Sequence, residues 1–165
     1  YLEGGGRVIL PEPAPLLTKA AKMPGLDGQK MSKSYGNTIA LRDDPKLVEQ
    51  KLRTMPTDPA RVRRTDPGNP DVCPVWQFHE VYSDDEIKEW VQTGCRSAGI
   101  GCIECKQPVI DAVRKELEPI QSEARRLAAD PDLVRSFINE GCERARDTAR
   151  ETMDDVRHVM SLRQG

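Results

Sequence analysis

Two stretches near the C-terminus restrict the fold more than anything else in the chain. Over residues 107–128, Val109, Val113, Leu117, Ile120 and Leu127 recur at the three- and four-residue spacing of one helix face. Pro119 falls inside that stretch and should kink it. Asp130-Pro131 then opens a last helix that the pattern carries to about residue 162, ~45–50 Å at 1.5 Å per residue. Its apolar stripe is Leu133, Val134, Phe137, Ile138, Ala145, Ala149, Met153, Val156 and Met160. A chain with so much of its length in two amphipathic helices is mainly α.

The rest of the chain supports this reading with shorter elements. Residues 1–27 are rich in Gly and Pro, with a short strand expected at Arg7-Val8-Ile9-Leu10, closed by Pro11-Glu12-Pro13-Ala14-Pro15. Residues 24–37 read as an exposed loop bearing lysines, and Thr38-Ile39-Ala40-Leu41 as a strand or extended stretch. Asp43-Asp44-Pro45 signals a helix start, and Leu47, Val48, Lys51, Leu52 and Met55 continue it. A long polar segment with four prolines follows over 56–73. Helices are then expected at about 74–82 and 84–93. Ser83 stands as N-cap of the second, and Glu86 completes a capping box. Residues 94–105 read as a cysteine-bearing loop. The first part, 1–44, looks too small and irregular to fold alone; 45–165 reads as a helical domain.

Composition excludes several classes of function. Hydrophobic residues make up 37% and charged residues 32%, so a core can form but much helix surface stays in water. The net charge is −2, so any nucleic-acid contact must come from local basic patches. No run of about 18 apolar residues spans a membrane. The opening Tyr1-Leu2-Glu3 has neither a charged n-region nor an apolar h-region, and there is no initiator Met. The expectation is the middle of a longer, cytoplasmic protein.

The first chemistry-bearing motif is Lys30-Met31-Ser32-Lys33-Ser34, with Gly28 before it and Gly36 after it. Two ammonium groups and two hydroxyls on a chain with flexible flanks can wrap a polyphosphate and neutralise charge on a leaving phosphate. A bare basic turn is the commoner fate of such a run. The exact pentapeptide, however, resembles the KMSKS signature of class I aminoacyl-tRNA synthetases. Its surroundings resemble the tryptophanyl-tRNA synthetases: Leu10-Pro11-Glu12-Pro13, Met23-Pro24-Gly25-Leu26-Asp27-Gly28, Tyr35-Gly36-Asn37-Thr38-Ile39-Ala40-Leu41 and Thr57-Asp58-Pro59 through Pro67-Gly68. Ala145-Arg146 through Thr152, Val156-Arg157 and Met160 to Leu162 extend the likeness along the last helix.

The resemblance implies a fold in which 1–44 end a Rossmann-type catalytic domain and 45–165 form the helical anticodon-binding domain. It implies ATP with Mg²⁺ and tryptophan as substrates, tRNA(Trp) as partner, and a homodimer in the full-length enzyme. Lys30 and Lys33 match the catalytic lysines that stabilise the pyrophosphate side of the transition state, and Met31, Ser32 and Ser34 complete the ATP-binding motif. The family's HIGH-type motif and its tryptophan pocket are missing. His79 and His158 stand in no such motif and read as ordinary helix residues. This piece alone should therefore be inactive and mainly monomeric. The rivals are a tyrosyl or other class I ligase, and a non-catalytic, cluster-bearing RNA-binding module.

Four of the five cysteines form a second motif. Cys73, Cys95, Cys102 and Cys105 are separated by twenty-one, six and two residues. This clustering favours a reducing compartment and a shared metal centre over disulfides. Spacing alone admits Zn²⁺ or [4Fe–4S]; resemblance to a four-Cys pattern of some bacterial tryptophanyl-tRNA synthetases implies the cluster. Cys142 reads as a packed helix residue. Arg61, Arg63 and Arg64, and Arg125 with Arg126, are the local basic groups able to meet RNA phosphates. Trp76, Phe78 and Trp90 read as core in a chain this poor in aromatics.

Overall fold

The computed structural model describes residues 3–4, 7–17 and 23–162. They fold mainly as α-helix, as the sequence leads one to expect. A small antiparallel pair, β1 (Glu3–Gly4) and β2 (Arg7–Val8), precedes five helices: α1 (Pro45–Thr54), α2 (Pro74–Tyr82), α3 (Asp85–Arg96), α4 (Cys102–Ala128) and α5 (Pro131–Val159). The chain forms two compact units. One comprises Tyr1–Leu16 with Arg125–Gly165, and the other Leu17–Ala124.

The core lies in the second unit. Val48, Leu52 and Met55 from α1 and its C-cap meet Val75 and Phe78 from α2, and Val109, Ile110, Val113 and Leu117 from α4. α1, α2 and α4 each bury an apolar face here, and such burial is the main source of helix stability in a folded protein. Asp44 caps α1 by accepting from the Lys46 N–H (2.9 Å), and Pro45 sits in the first turn, where its missing N–H costs nothing. Asp130 caps α5 through the Leu133 N–H at 3.0 Å.

The structure corrects several boundaries. The strand expected at Arg7–Leu10 ends at Val8. Thr38–Leu41 forms no strand among the described residues; the Thr38 carbonyl accepts instead from Lys51 Nζ (2.9 Å), and Ala40 turns onto Asp43. The cap of α3 is Asp84, whose carboxylate accepts from the Ile87 N–H at 2.9 Å; Ser83 is buried and bonded to His79. The cysteine segment is mostly helix. α3 runs through Cys95 to Arg96, α4 starts at Cys102, and only 97–101 turn between them. α4 also contains Pro108 as well as Pro119, and helix continues through both. On its buried face Gln121 stands where Ile120 was expected, because the Gln121 side chain donates to the Asp43 carbonyl (2.8 Å) while Ile120 points outward.

Candidate functional site

The lysine-serine loop is built on a tight turn. Pro24 pairs with Lys30 in an antiparallel bridge. Between them Gly28 takes φ +80°, a conformation that L side chains rarely adopt, and donates to the Gly25 carbonyl at 3.0 Å. The turn leads through Met31, whose side chain packs against the core, into a short 3₁₀ turn over Lys33–Tyr35. Gly36 closes that turn in the left-handed conformation (φ +66°), its N–H donating to the Lys33 carbonyl. Lys30 and Lys33 are exposed, and the hydroxyls of Ser32 and Ser34 lie 2.8 Å apart. The loop thus holds its backbone rigidly and leaves both ammonium groups in solvent. This arrangement suits an anionic ligand that arrives from outside.

A residue outside the pentapeptide fixes the loop. Asn37 is buried, and its side chain makes three bonds: Oδ1 accepts from the Ser32 N–H (2.8 Å), and Nδ2 donates to Asp27 Oδ1 (2.7 Å) and to the Lys30 carbonyl (3.2 Å). The Asn37 bond holds the Asp27 carboxyl below its ordinary range. Gly25 has no room for a side chain, because a Cβ there would stand 2.1 Å from Asn37 Nδ2. The sequence marks Asn37 by no periodicity or charge, which is why only the structure identifies it.

The four cysteines come from three places: Cys73 caps α2, Cys95 lies in the last turn of α3, and Cys102 and Cys105 occupy the first turn of α4. All are partly buried, and none is in a disulfide. Burial pushes the Cys105 thiol up to about 12, and the thiolates of Cys73, Cys95 and Cys102 add to the push. Cys95 is raised by burial and, with Cys73 and Cys102 again contributing, is eased downward by Arg61. The four are therefore near enough to repel one another as thiolates. Among the described residues they do not form a group close enough to hold a single metal ion. One tetrahedral zinc with each sulfur about 2.3 Å away would draw its ligands to within roughly 4 Å of one another. Cys142 is exposed on α5 and takes no part, contrary to the packed position expected.

Three polar residues surround the cysteines. His79 is fully buried. Its Nε2–H donates to the Cys105 carbonyl (3.1 Å) and lies 3.5 Å from Cys105 Sγ, so Nδ1 accepts from the Ser83 hydroxyl (2.8 Å). Burial lowers its pKa to about 4, which keeps the ring neutral. Lys106 is buried and donates to the carbonyls of Arg53 (2.7 Å) and Met55 (2.6 Å). Arg61 is buried too, which corrects its reading as an RNA contact: its guanidinium serves the chain's own backbone. Arg64 also caps backbone, at Ala98 and Gly99, whereas the exposed side chain of Arg63 makes no such backbone bond among the described residues. Phe78 is core as expected, whereas Trp90 is exposed on α3.

The residues 3–118 match the family model of the class I tRNA synthetases (W and Y), and the chain belongs to that family. Similar relatives within it include tryptophan–tRNA ligases. The chain is 62% identical over 162 residues to the tryptophan–tRNA ligase of Ralstonia nicotianae, covering 98% of this chain and 40% of that one. It is 46% identical over 155 residues to that of Thermotoga maritima, covering 93% and 47%. The fold matches a crystal structure of tryptophanyl-tRNA synthetase from Campylobacter jejuni with a TM-score of 0.72 at 23% identity, over 87% of this chain and 44% of that one. The chain thus spans less than half the length of these relatives.

Proposed function

We propose that this chain is the part of a tryptophan–tRNA ligase that carries the signature loop and the helical domain. The observation that carries the reading is the 62% identity to a tryptophan–tRNA ligase, sustained through loop and helices alike. In the reaction a carboxylate oxygen of tryptophan attacks the α-phosphorus of ATP. An O–P bond forms, the bond to the bridging oxygen breaks, and pyrophosphate leaves. A ribose hydroxyl of tRNA(Trp) then takes the acyl group and AMP departs. Lys30 and Lys33, held in solvent on a backbone fixed by Asn37, supply positive charge to the departing pyrophosphate with its Mg²⁺. Ser32, Ser34 and the Met31 backbone complete the ATP contact. Residues 1–44 then close the catalytic domain, and 45–165 form the anticodon-side domain of a cytoplasmic homodimer. In a ligase containing this chain, Lys33→Ala should slow ATP–pyrophosphate exchange on the order of 10²-fold or more while tryptophan binding stays near normal. Exchange at the parent rate would sink the role.

We read Cys73, Cys95, Cys102 and Cys105 as the residues that would hold a resident [4Fe–4S] centre. Four partly buried thiols brought from three elements are the donor set that such a centre takes. A cubane meets each thiolate at its own iron and accepts sulfurs set wider than one zinc does. Its part in this domain is to tie α2, α3 and α4 together near their ends. Iron, sulfide and zinc analysis of anaerobically purified protein distinguishes the two metals.

A further inference from the structure

One buried cation among the described residues has a binding need that the fold leaves open. Arg61 stands in the segment between α1 and α2 and is 9% exposed. Its Nη2 donates to two carbonyls, Arg64 (3.0 Å) and Ile100 (2.6 Å), which pins it to the turn joining α3 to α4. Its Nη1 points to Cys95 Sγ at 3.9 Å. Its Nε is buried and has no partner. The Asp58 carboxylate nearby is already engaged by the N–H groups of Ala60 and Asn69 (2.9 and 2.7 Å). A guanidinium cannot shed its proton to ease burial, and an uncompensated buried charge is costly. Nη1 faces the cysteine side, where an anion would offset the charge.

Gly68 makes this contact possible. Its N–H donates to the Cys95 carbonyl (2.9 Å), and a Cβ at this position would stand 2.7 Å from Cys95 Sγ and 3.1 Å from Arg61 Cδ. Nothing larger than glycine fits beside both groups. On another side, the ammonium of Lys106, the residue that follows Cys105 in the chain, is buried on two backbone carbonyls. Four thiolates around the 2+ core of an oxidised cubane leave two negative charges. Two buried cations match that excess.

We propose that Arg61 is the fixed counter-charge of the four-cysteine centre, a positioning residue that holds Cys95 and the 97–101 turn in place and stabilises the centre's negative charge. The inference rests on the reading of Cys73, Cys95, Cys102 and Cys105 as a metal centre. It assigns no catalytic step to Arg61.

The test compares the chain with R61M and R61K after anaerobic reconstitution with ferrous iron and sulfide. Three properties are measured: iron per chain, the lifetime of the visible chromophore against a chelator, and the one-electron midpoint potential by spectroelectrochemistry. R61M should keep its helical content yet lose its chromophore at least tenfold faster. Its potential should fall, because reduction adds a negative charge that Arg61 no longer offsets; a tenfold change in the one-electron equilibrium is about 59 mV. R61K keeps the charge, but its compact single-nitrogen head cannot span the Arg64 and Ile100 carbonyls and Cys95 as the planar guanidinium fork does, so its potential should stay close to that of the parent chain while its lifetime shortens. A merely structural arginine would shift stability and leave the potential where it was. R61M with parent lifetime and potential overturns the proposal. Should R61M fail to fold, R61K with parent lifetime overturns it as well. A parent chain that takes up neither iron nor zinc sinks the metal-centre reading itself, a result separate from the other two.

Discussion

Asn37 shows how much a single side chain can decide. It satisfies the Ser32 N–H, the Lys30 carbonyl and the Asp27 carboxylate from one buried amide. An amide is suited to this because it offers both donors and acceptors in one plane. Asn37→Ala would leave the Ser32 N–H without its acceptor in a part-buried site, a loss of about 1–3 kcal/mol. The effect should be local. The Ser32 amide is expected to exchange its hydrogen roughly tenfold faster or more, while amides of α4 keep their protection. Equal exchange at Ser32 in variant and parent would show that the loop is held by its turn alone. Asn37→Asp keeps the acceptor but sets a carboxylate against Asp27, so it should not restore the loop.

At the scale of elements, the start of α3 tests how neighbouring polar residues divide the work. Ser83 and Asp84 are both good N-caps by type, and sequence rules favour Ser83 because Glu86 stands three residues later. The fold assigns the cap to Asp84 because the Ser83 hydroxyl is drawn inward to His79 Nδ1. Asp84→Ala should cost about 1 kcal/mol and speed exchange at the Ile87 amide. Ser83→Ala should cost about 1–3 kcal/mol by leaving a buried His79 nitrogen unpaired, with the Ile87 amide unaffected. Urea unfolding and exchange at that one amide separate the two. The same competition explains what the sequence conveys and what it does not. Helix faces such as Val109, Val113 and Leu117 are legible because burial follows a local period. The cysteine pattern and the pentapeptide are legible because their chemistry is carried by residue type. Beyond the local bonds of His79 to Ser83 and Arg61 to Arg64, the partners of His79, Arg61 and Lys106 lie 26, 39 and 51 to 53 residues away. No local pattern encodes such distances, so the polar surroundings of the cysteines emerge only from the fold.

At the scale of the whole molecule, the two longest helices behave differently. α4 buries Val109, Ile110, Val113, Leu117 and Gln121, whereas α5 buries none of its described residues. Yet α5 carries the apolar stripe that the sequence shows: Phe137 is 52% exposed, Ile138 58% and Met153 42%. Its local stability therefore comes from sources other than a core: the Asp130 cap and ion pairs along its surface such as Arg135–Asp132, Arg144–Glu140 and Arg150–Asp147. Exposed pairs of this kind contribute at most a few tenths of a kcal/mol each. Phe137 and Ile138 are each about half in water, so replacing both by Ser opens no closed cavity and loses only part of their transfer free energy. The double variant should lose no more than about 2 kcal/mol relative to the parent chain in urea, by the same amount at every protein concentration tried. A loss above about 2 kcal/mol would mean that these side chains are covered in solution. If that loss also grew with protein concentration, the cover would be a second copy of the chain, since association stabilises the folded state by mass action.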